Sequence, residues 1–340
     1  MQLGVSVIIC CYNSAKRLPE TLKHLAMQLV PANILWEVIV IDNASTDNTF
    51  QVASQEWEKY ITPNAGFRVL SQPIPGKNHA HKMGIIAARY EYILTCDDDN
   101  RLCADYVSTA YEIMCADNKI GVLGGCGIFD PEQPAWPDVE KHKQSYVNGS
   151  QTWAATEHWV YGAGCVCRKS LFTNLYNKEW QQITSGRNGT KLICGEDVEI
   201  CFAFYLTGYK IVANDQLTFH HFVPLKRQNL KYLLNLQYWI SYSYVLLNNY
   251  LMLMDGDKRS VKKKLNDWFV YNVKALIMFT VKLTRQKLTK WQPLSVDEKL
   301  KLQSYLGSLL SIFNNRNKII KHHAQLMSML KKQEILNQDY

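Results

Sequence analysis

At 340 residues, with 47% hydrophobic and 20% charged residues, the chain has material for one large core or two modest ones and is not a disordered polymer. No run reaches the roughly 18 uninterrupted apolar residues of a spanning helix. The net charge of +8 is uneven: residues 1–225 hold 18 Lys and Arg against 23 Asp and Glu, while residues 226–340 hold 20 against 7. An acidic part followed by a basic region points to an anionic partner for the latter.

Val5–Cys11 reads as a buried strand ending at Tyr12-Asn13-Ser14, and a helix is expected from Ala15 to about Leu29, with leucines at helical spacing. The start, Met1 to Val5, enters that strand at once and leaves no signal peptide. All ten cysteines fall between Cys10 and Cys201 with no CxxC pair, the pattern of small buried hydrophobes in a reducing cytoplasm. A second strand, Trp36–Ile41, ends at Asp42-Asn43, followed by a helix to about Tyr60. Phe67–Leu70 is a third strand, then comes the loop Pro73–Lys77 and a helix Asn78–Tyr90.

The fourth strand, Tyr92–Cys96, ends in Asp97-Asp98-Asp99-Asn100. The alternation β-α-β-α-β-α-β predicts a parallel sheet with a ligand crevice at the carboxyl ends of its strands. Three adjacent carboxylates repel one another unless a cation lies between them, and their oxygens suit Mg²⁺ or Mn²⁺. Alternation along a strand favours Asp97 and Asp99 as the facing pair, which a turn would undo. Neither GxGxxG nor GxxxxGK[ST] occurs, so this is neither a typical dinucleotide fold nor a P-loop enzyme.

Farther on, residues 120–182 are rich in Gly, Pro and Trp, with Trp136, Trp153 and Trp159 offering flat aromatic faces to a ligand ring. Ser185–Gly189 is a glycine-flanked loop of the kind that closes over a bound ligand, with Arg187 either meeting an anionic group of that ligand or an ordinary exposed arginine. Gly195-Glu196-Asp197 precedes a helix over Val198–Thr207, and Leu217–Phe219 is strand-like before His220-His221.

Val5–Asn13, Val40–Thr49, the loop from Gly76, Asp97–Asn100, Tyr161–Gly164 with Arg168-Lys169, Gly195–Glu199 and Phe219–Pro224 together resemble family 2 glycosyltransferases of the GT-A fold, in the family's order. The resemblance spans about residues 3–225. It implies an α/β nucleotide-diphosphosugar transferase fold with a Rossmann-like, mostly parallel sheet. The catalytic domain is expected over 1–225, its nucleotide half to about 118 and its sugar and acceptor half over 119–225. A basic, amphipathic helical region follows over 226–340.

By the same resemblance the enzyme is inverting and metal-dependent, and moves a sugar from a nucleotide-diphosphate donor to a saccharide or lipid-linked acceptor in bacterial surface polysaccharide synthesis. Donor contacts fall to Cys11, Tyr12, Asn13, Asp42, Lys77, Asp97, Asp98 and Gly164; Asp42 favours a UDP-sugar, and Asn43 stands where a second carboxylate is common. The competing reading of Asp42 is an Asx turn, and of Lys77 an ordinary exposed lysine. Metal ligands are Asp99 and His221, holding Mn²⁺ or Mg²⁺. Asp197 is the general base, with a helix N-cap as its competing reading, while Glu196 holds structure or positions the acceptor.

Residues 226–340 read as helices with Tyr, Leu and Trp stripes and a basic run at Lys258–Lys264. They either cap the catalytic domain or rest on anionic inner-leaflet lipid, giving a cytoplasmic protein peripheral to the membrane. A sugar-1-phosphate nucleotidyltransferase would want a glycine-rich basic loop after the first strand, where Cys10–Asn13 stands. Asp99, Asp197 and His221 together argue against an inactive binding module. The aromatic-interleaved basic motifs of nucleic-acid readers are absent, so no nucleic-acid partner is expected.

Overall fold

Apolar runs of β-branched residues form the centre of the sheet-bearing unit because they can be buried on both faces of a parallel sheet. The computed structural model describes residues 1–62, 65–146, 149–187, 191–256, 259–290 and 293–338, with side chains described outside 286–290 and 332–338. Asn188 and Gly189 of the expected closing loop, and Lys258 of the basic run, lie outside the described residues.

The chain divides into two compact units. The first comprises residues 1–134, 146–179 and 196–224. It runs β1 (Gln2–Cys11), α1 (Leu18–Ala26), β2 (Trp36–Asn43), α2 (Thr49–Trp57), β3 (Ala65–Gln72), α3 (Lys77–Ala87), β4 (Tyr90–Asp97), β5 (Asn100–Leu102), α4 (Tyr106–Ala116) and β6 (Ile120–Pro131). After a second-unit helix, α5 (Pro137–Lys141), it continues with α6 (Thr152–Thr156), β7 (Val166–Arg168), α7 (Lys169–Asn177), α8 (Glu196–Leu206) and β8 (Lys210–Val223).

The strands form one eight-stranded sheet in the order β3-β2-β1-β4-β7-β6-β8-β5. β3, β2, β1 and β4 are mutually parallel, as the alternation predicts. The far half is mixed: β7 runs antiparallel to β4 and β6, β6 pairs parallel with β8, and short β5 closes the edge antiparallel to β8. Every residue of β2 is buried, and Val5, Val7, Ile9, Val38, Val40 and Leu94 belong to one continuous core. Register sets the site: Cys11 pairs with Asp42 and Cys10 with Asp97, so the polar ends of β2 and β4 flank the end of β1.

The second unit gathers residues 135–145, 180–195 and 225–340. Three long helices dominate it: α9 (Leu230–Met254), α10 (Val261–Lys290) and α11 (Val296–Gln338). α9 and α11 approach closely at Gly307, where a Cβ would collide with the Tyr238 carbonyl, and Gln237 bonds Ser304 at 2.8 Å. His322 Nε2 lies 2.9 Å from the Gln181 carbonyl, and Trp180 Nε1 donates to Tyr250 Oη at 3.0 Å.

Candidate active site

At the end of β1 the chain turns through Asn13 with φ 49°, a left-handed conformation that asparagine tolerates. Its Oδ1 accepts from Thr46 N at 2.8 Å and its own N–H donates to Ser45 Oγ at 3.0 Å. Ser14 N donates to Thr49 Oγ1 at 2.8 Å. The turns after β1 and β2 are thus laced into one rigid lip, with Tyr12 exposed on it and Cys11 buried under it.

Asp42, last but one in β2, is 9% exposed, and its Oδ1 has no hydrogen-bond partner. A buried, unsatisfied carboxylate oxygen costs free energy unless something arrives to donate to it. Asn43 is fully engaged instead: its Nδ2 donates to Gln72 O (3.1 Å) and Ile74 O (2.7 Å), and its Oδ1 accepts from Gly76 N at 2.8 Å. It fixes the loop that leads to Lys77, so an amide with donors as well as an acceptor serves there where a carboxylate would not.

The three consecutive aspartates each have a separate basic partner. Lys77 Nζ is 3.3 Å from Asp97 Oδ1. Asp98 turns inward, where Oδ2 accepts from Arg17 Nη2 at 2.5 Å and from Ser14 Oγ. Asp99 Oδ1 lies 3.4 Å from His221 Nε2, brought there because Asn100 in β5 pairs with His221 in β8. Among the described residues no three His, Cys, Asp or Glu side chains converge as a metal cluster. Asp99 and His221 are a two-residue pair. Beside them Asn100 is fully buried with both amide atoms unpartnered.

Asp197 is the second residue of α8. Its Oδ2 accepts from Gly162 N at 2.5 Å and its Oδ1 from Val198 N at 2.8 Å. Burial pushes its carboxyl up to about 6, the neighbouring Glu196 adds to the rise, and Lys77 opposes it. Glu196 Oε1 in turn lies 3.3 Å from Lys77 Nζ. One ammonium therefore joins the end of β4 to the start of α8.

Gly162 lets α8 come this close, since a Cβ there would stand 3.0 Å from Asp197 Cβ and 3.2 Å from its Oδ2. At Gly164, φ is 72° and a Cβ would meet Tyr106 Oη at 2.5 Å. Its N–H donates to Thr95 O at 2.9 Å and its carbonyl accepts from Tyr106 Oη at 2.6 Å, so both backbone groups are used inside the fold.

Asp197, Glu196 and Lys77 also line a cavity with His81, Thr95 and Cys165. Nothing in the sequence singles out His81. Its Nε2 lies 3.1 Å from Thr95 Oγ1, and burial, then Lys77, lowers its pKa to about 4, so it is neutral near pH 7. Arg17 was missed too, because nothing in the sequence ties it to Asp98. Ser185–Arg187 and Trp136 belong to the second unit. Trp153, 56% exposed, meets Trp159 edge-on at 5.3 Å in the first.

Known proteins share this arrangement of elements. The mannosyltransferase PcManGT from Pyrobaculum calidifontis, solved with GDP-Man and Mn²⁺, superposes with a TM-score of 0.57 at 18% identity, covering 98% of this chain and 87% of that one. S. aureus TarS 1–349, in complex with UDP-GlcNAc, gives 0.50 at 15% identity over 99% and 92%. The fold is GT-A, with a helical region after it. In sequence, poly-β-1,6-N-acetyl-D-glucosamine synthase of Staphylococcus aureus (strain COL) is 24% identical over 214 residues, 61% of this chain and 47% of the relative. Cholesterol galactosyltransferase of Borreliella burgdorferi is 31% identical over 115 residues, 34% of this chain and 30% of the relative. The chain spans about half the length, or less, of these curated relatives. Two family models match it, Glycosyl transferase family 2 over residues 6–175 and Glycosyl transferase family group 2 over residues 92–315. Half the chain is covered by the first and more than half by the second, and it belongs to glycosyl transferase family 2.

Proposed function

We propose that the chain is an inverting glycosyltransferase that moves a sugar from a nucleotide-diphosphate donor, a UDP-sugar by preference, to a hydroxyl of a saccharide or lipid-linked saccharide, in cell-surface polysaccharide synthesis. The observation that carries this reading is the Lys77 bridge, 3.3 Å from Asp97 and 3.3 Å from Glu196, which ties the strand-end carboxylates to the helix start that bears Asp197.

Asp42 offers its unpaired Oδ1 to an N–H of the base, and the backbone of Cys11, Tyr12 and Asn13 lines the same nucleoside. Lys77 exchanges a carboxylate for the donor diphosphate, and Asp97 takes the ribose. Gly164 shapes the sugar pocket through its close packing rather than through a backbone bond. Asp197 takes the proton of the acceptor hydroxyl; that oxygen forms the new bond to the anomeric carbon as the bond to the diphosphate breaks on the opposite face, which inverts the configuration. A base with a pKa near 6 is largely ionised at pH 7 yet strong enough for this transfer.

Asp99 and His221, 3.4 Å apart, would hold Mn²⁺ or Mg²⁺: the Asp99 carboxylate is the hard oxygen donor both ions favour, and the His221 imidazole is better suited to Mn²⁺. When bound, the ion neutralises charge on the departing diphosphate. Residues 226–340, with 20 basic against 7 acidic residues, are read as the part that meets an anionic inner membrane surface near a lipid-linked acceptor.

Binding and hydrolysis measured over UDP-, GDP- and dTDP-sugars, with Mn²⁺, Mg²⁺ or EDTA, test the reading. Metal-dependent binding of one nucleotide class supports it; no binding of any nucleotide sugar removes it.

A further inference from the structure

α10 is apolar on both sides. Its inward stripe is conventional: Leu265 is fully buried, Asn272 and Phe279 are 6% and 9% exposed, and the Phe279 ring meets Tyr305 of α11 at 5.9 Å. About half a turn away, Val270, Ile277 and Val281 stand 47, 57 and 46% exposed, and Tyr271 and Met278 beside them 67 and 72%. Residues 270, 277 and 281 recur at helical spacing and make one stripe. A second apolar stripe on a helix whose inward stripe is already packed is normally covered, so this outer stripe is missing a partner.

The charges around the stripe say what kind. From Val261 to Lys290 there are eight basic residues and one acid, Asp267, and Arg259 already holds that acid at 2.8 Å. Lys263 and Lys274 lie on the same outer side as the stripe, and Lys282 and Arg285 flank its end. A protein partner or a second copy would have to bury this one-signed rim against itself. An anionic lipid surface accepts both parts, because the apolar stripe sinks to the acyl boundary while the lysine stems carry their ammonium groups to the headgroups. No helix among the described residues is long and apolar enough to cross a membrane, so α10 would lie in the surface rather than span it.

We propose that the outer face of α10, centred on Val270, Ile277 and Val281 and rimmed by Lys263, Lys274 and Lys282, is the surface by which this protein lies on an anionic bilayer. The proposal sharpens the reading of residues 226–340 given above. It stands apart from the transfer chemistry, because vesicle binding needs neither donor nor acceptor.

The test is flotation of the full chain with phosphatidylglycerol-containing vesicles and with phosphatidylcholine vesicles, without nucleotide. Binding is expected to the anionic vesicles, weakening as salt is raised. Ile277→Glu with Val281→Glu is expected to cut partitioning about tenfold or more, with an unchanged unfolding midpoint because both side chains are exposed. Lys274→Glu with Lys282→Glu should lower anionic binding without touching the stripe. The proposal is overturned if anionic vesicles do not retain the protein, or if neither double variant alters their binding. It is equally overturned if sedimentation reveals a dimer that Ile277→Glu with Val281→Glu dissociates.

Discussion

Arg17 Nη2 sits 2.5 Å from Asp98 Oδ2 and so fastens the turn after β1 to the middle one of three consecutive carboxylates. Both side chains are largely buried, 18 and 12% exposed. With Asp98 held inward, its two neighbours are left for the cleft, Asp97 beside Lys77 and Asp99 beside His221.

Removing one partner of such a pair strands a buried charge. Arg17→Gln should destabilise the fold by about 3 kcal/mol, measured by denaturant unfolding. Adding Asp98→Asn to it should recover much of the loss, since the amide oxygen can still accept from Ser14 and no lone charge remains. A double variant less stable than Arg17→Gln alone would contradict the pairing.

The pH profile follows from Asp197. Its carboxyl is raised to about 6 by burial and Glu196, so it is protonated below that pH and ionised above it, and in its proposed role as base it would be idle below. Acceptor-dependent kcat/KM should therefore rise about tenfold per unit below pH 6 and level off above it. Lys77 opposes the rise, so Lys77→Met should move the midpoint upward, in addition to weakening donor binding. A midpoint that stays put in that variant would disconnect Lys77 from the base.

Gly162 is a spacing requirement. With Asp197 Cβ only 3.0 Å from where an alanine methyl would stand, Gly162→Ala should displace the carboxylate and lower kcat about tenfold or more. Circular dichroism should show the fold intact, and donor affinity should hardly move.

Asp42 gives a prediction with opposite signs. Its buried Oδ1 has no partner in the protein, so Asp42→Ala should leave stability unchanged or higher. Loss of a charge-assisted hydrogen bond worth about 1.5–3 kcal/mol should weaken nucleotide binding by about ten- to a hundredfold. Loss of stability with unchanged binding would make Asp42 a structural residue.

The first half of the fold was legible because parallel strands buried on both faces are unbroken apolar runs, and β1, β2, β3 and β4 all contain the expected segments. β6 was not expected as a strand: it lies in the stretch that reads only as rich in Gly, Pro and Trp, because Gly121, Gly124, Gly125 and Gly127 depress strand propensity. Packing demands them: a Cβ on Gly124 would stand 2.7 Å from Val160 Cγ1, and one on Gly125 would strike Tyr106 Oη. Of the fourteen-residue β8 only Leu217–Phe219 was expected, since Asn214-Asp215-Gln216 interrupts its pattern. α1 begins at Leu18 rather than Ala15 because Ser14 to Arg17 form the turn that holds Asp98.

In the candidate site, the placement of Asp42 and Asp97 at strand ends and of Asp197 at a helix start was legible in the sequence, while the roles proposed for them come from the family resemblance. The pairings of Arg17 with Asp98, 81 residues apart, and of His81 with Thr95 were not legible, because each is made by sheet register and helix docking that no local pattern encodes.

The most direct test of the central claim is a side-by-side measurement of donor binding and sugar transfer in Asp99→Ala and Asp197→Asn, using the nucleotide sugar that wild type binds. The account predicts that Asp99→Ala loses metal-dependent donor binding and transfer together. Asp197→Asn should keep donor affinity near wild type while transfer falls by about 10²–10⁴-fold. Wild-type transfer rates in Asp197→Asn, at any pH, would contradict its role as the base and with it the assignment of this cleft.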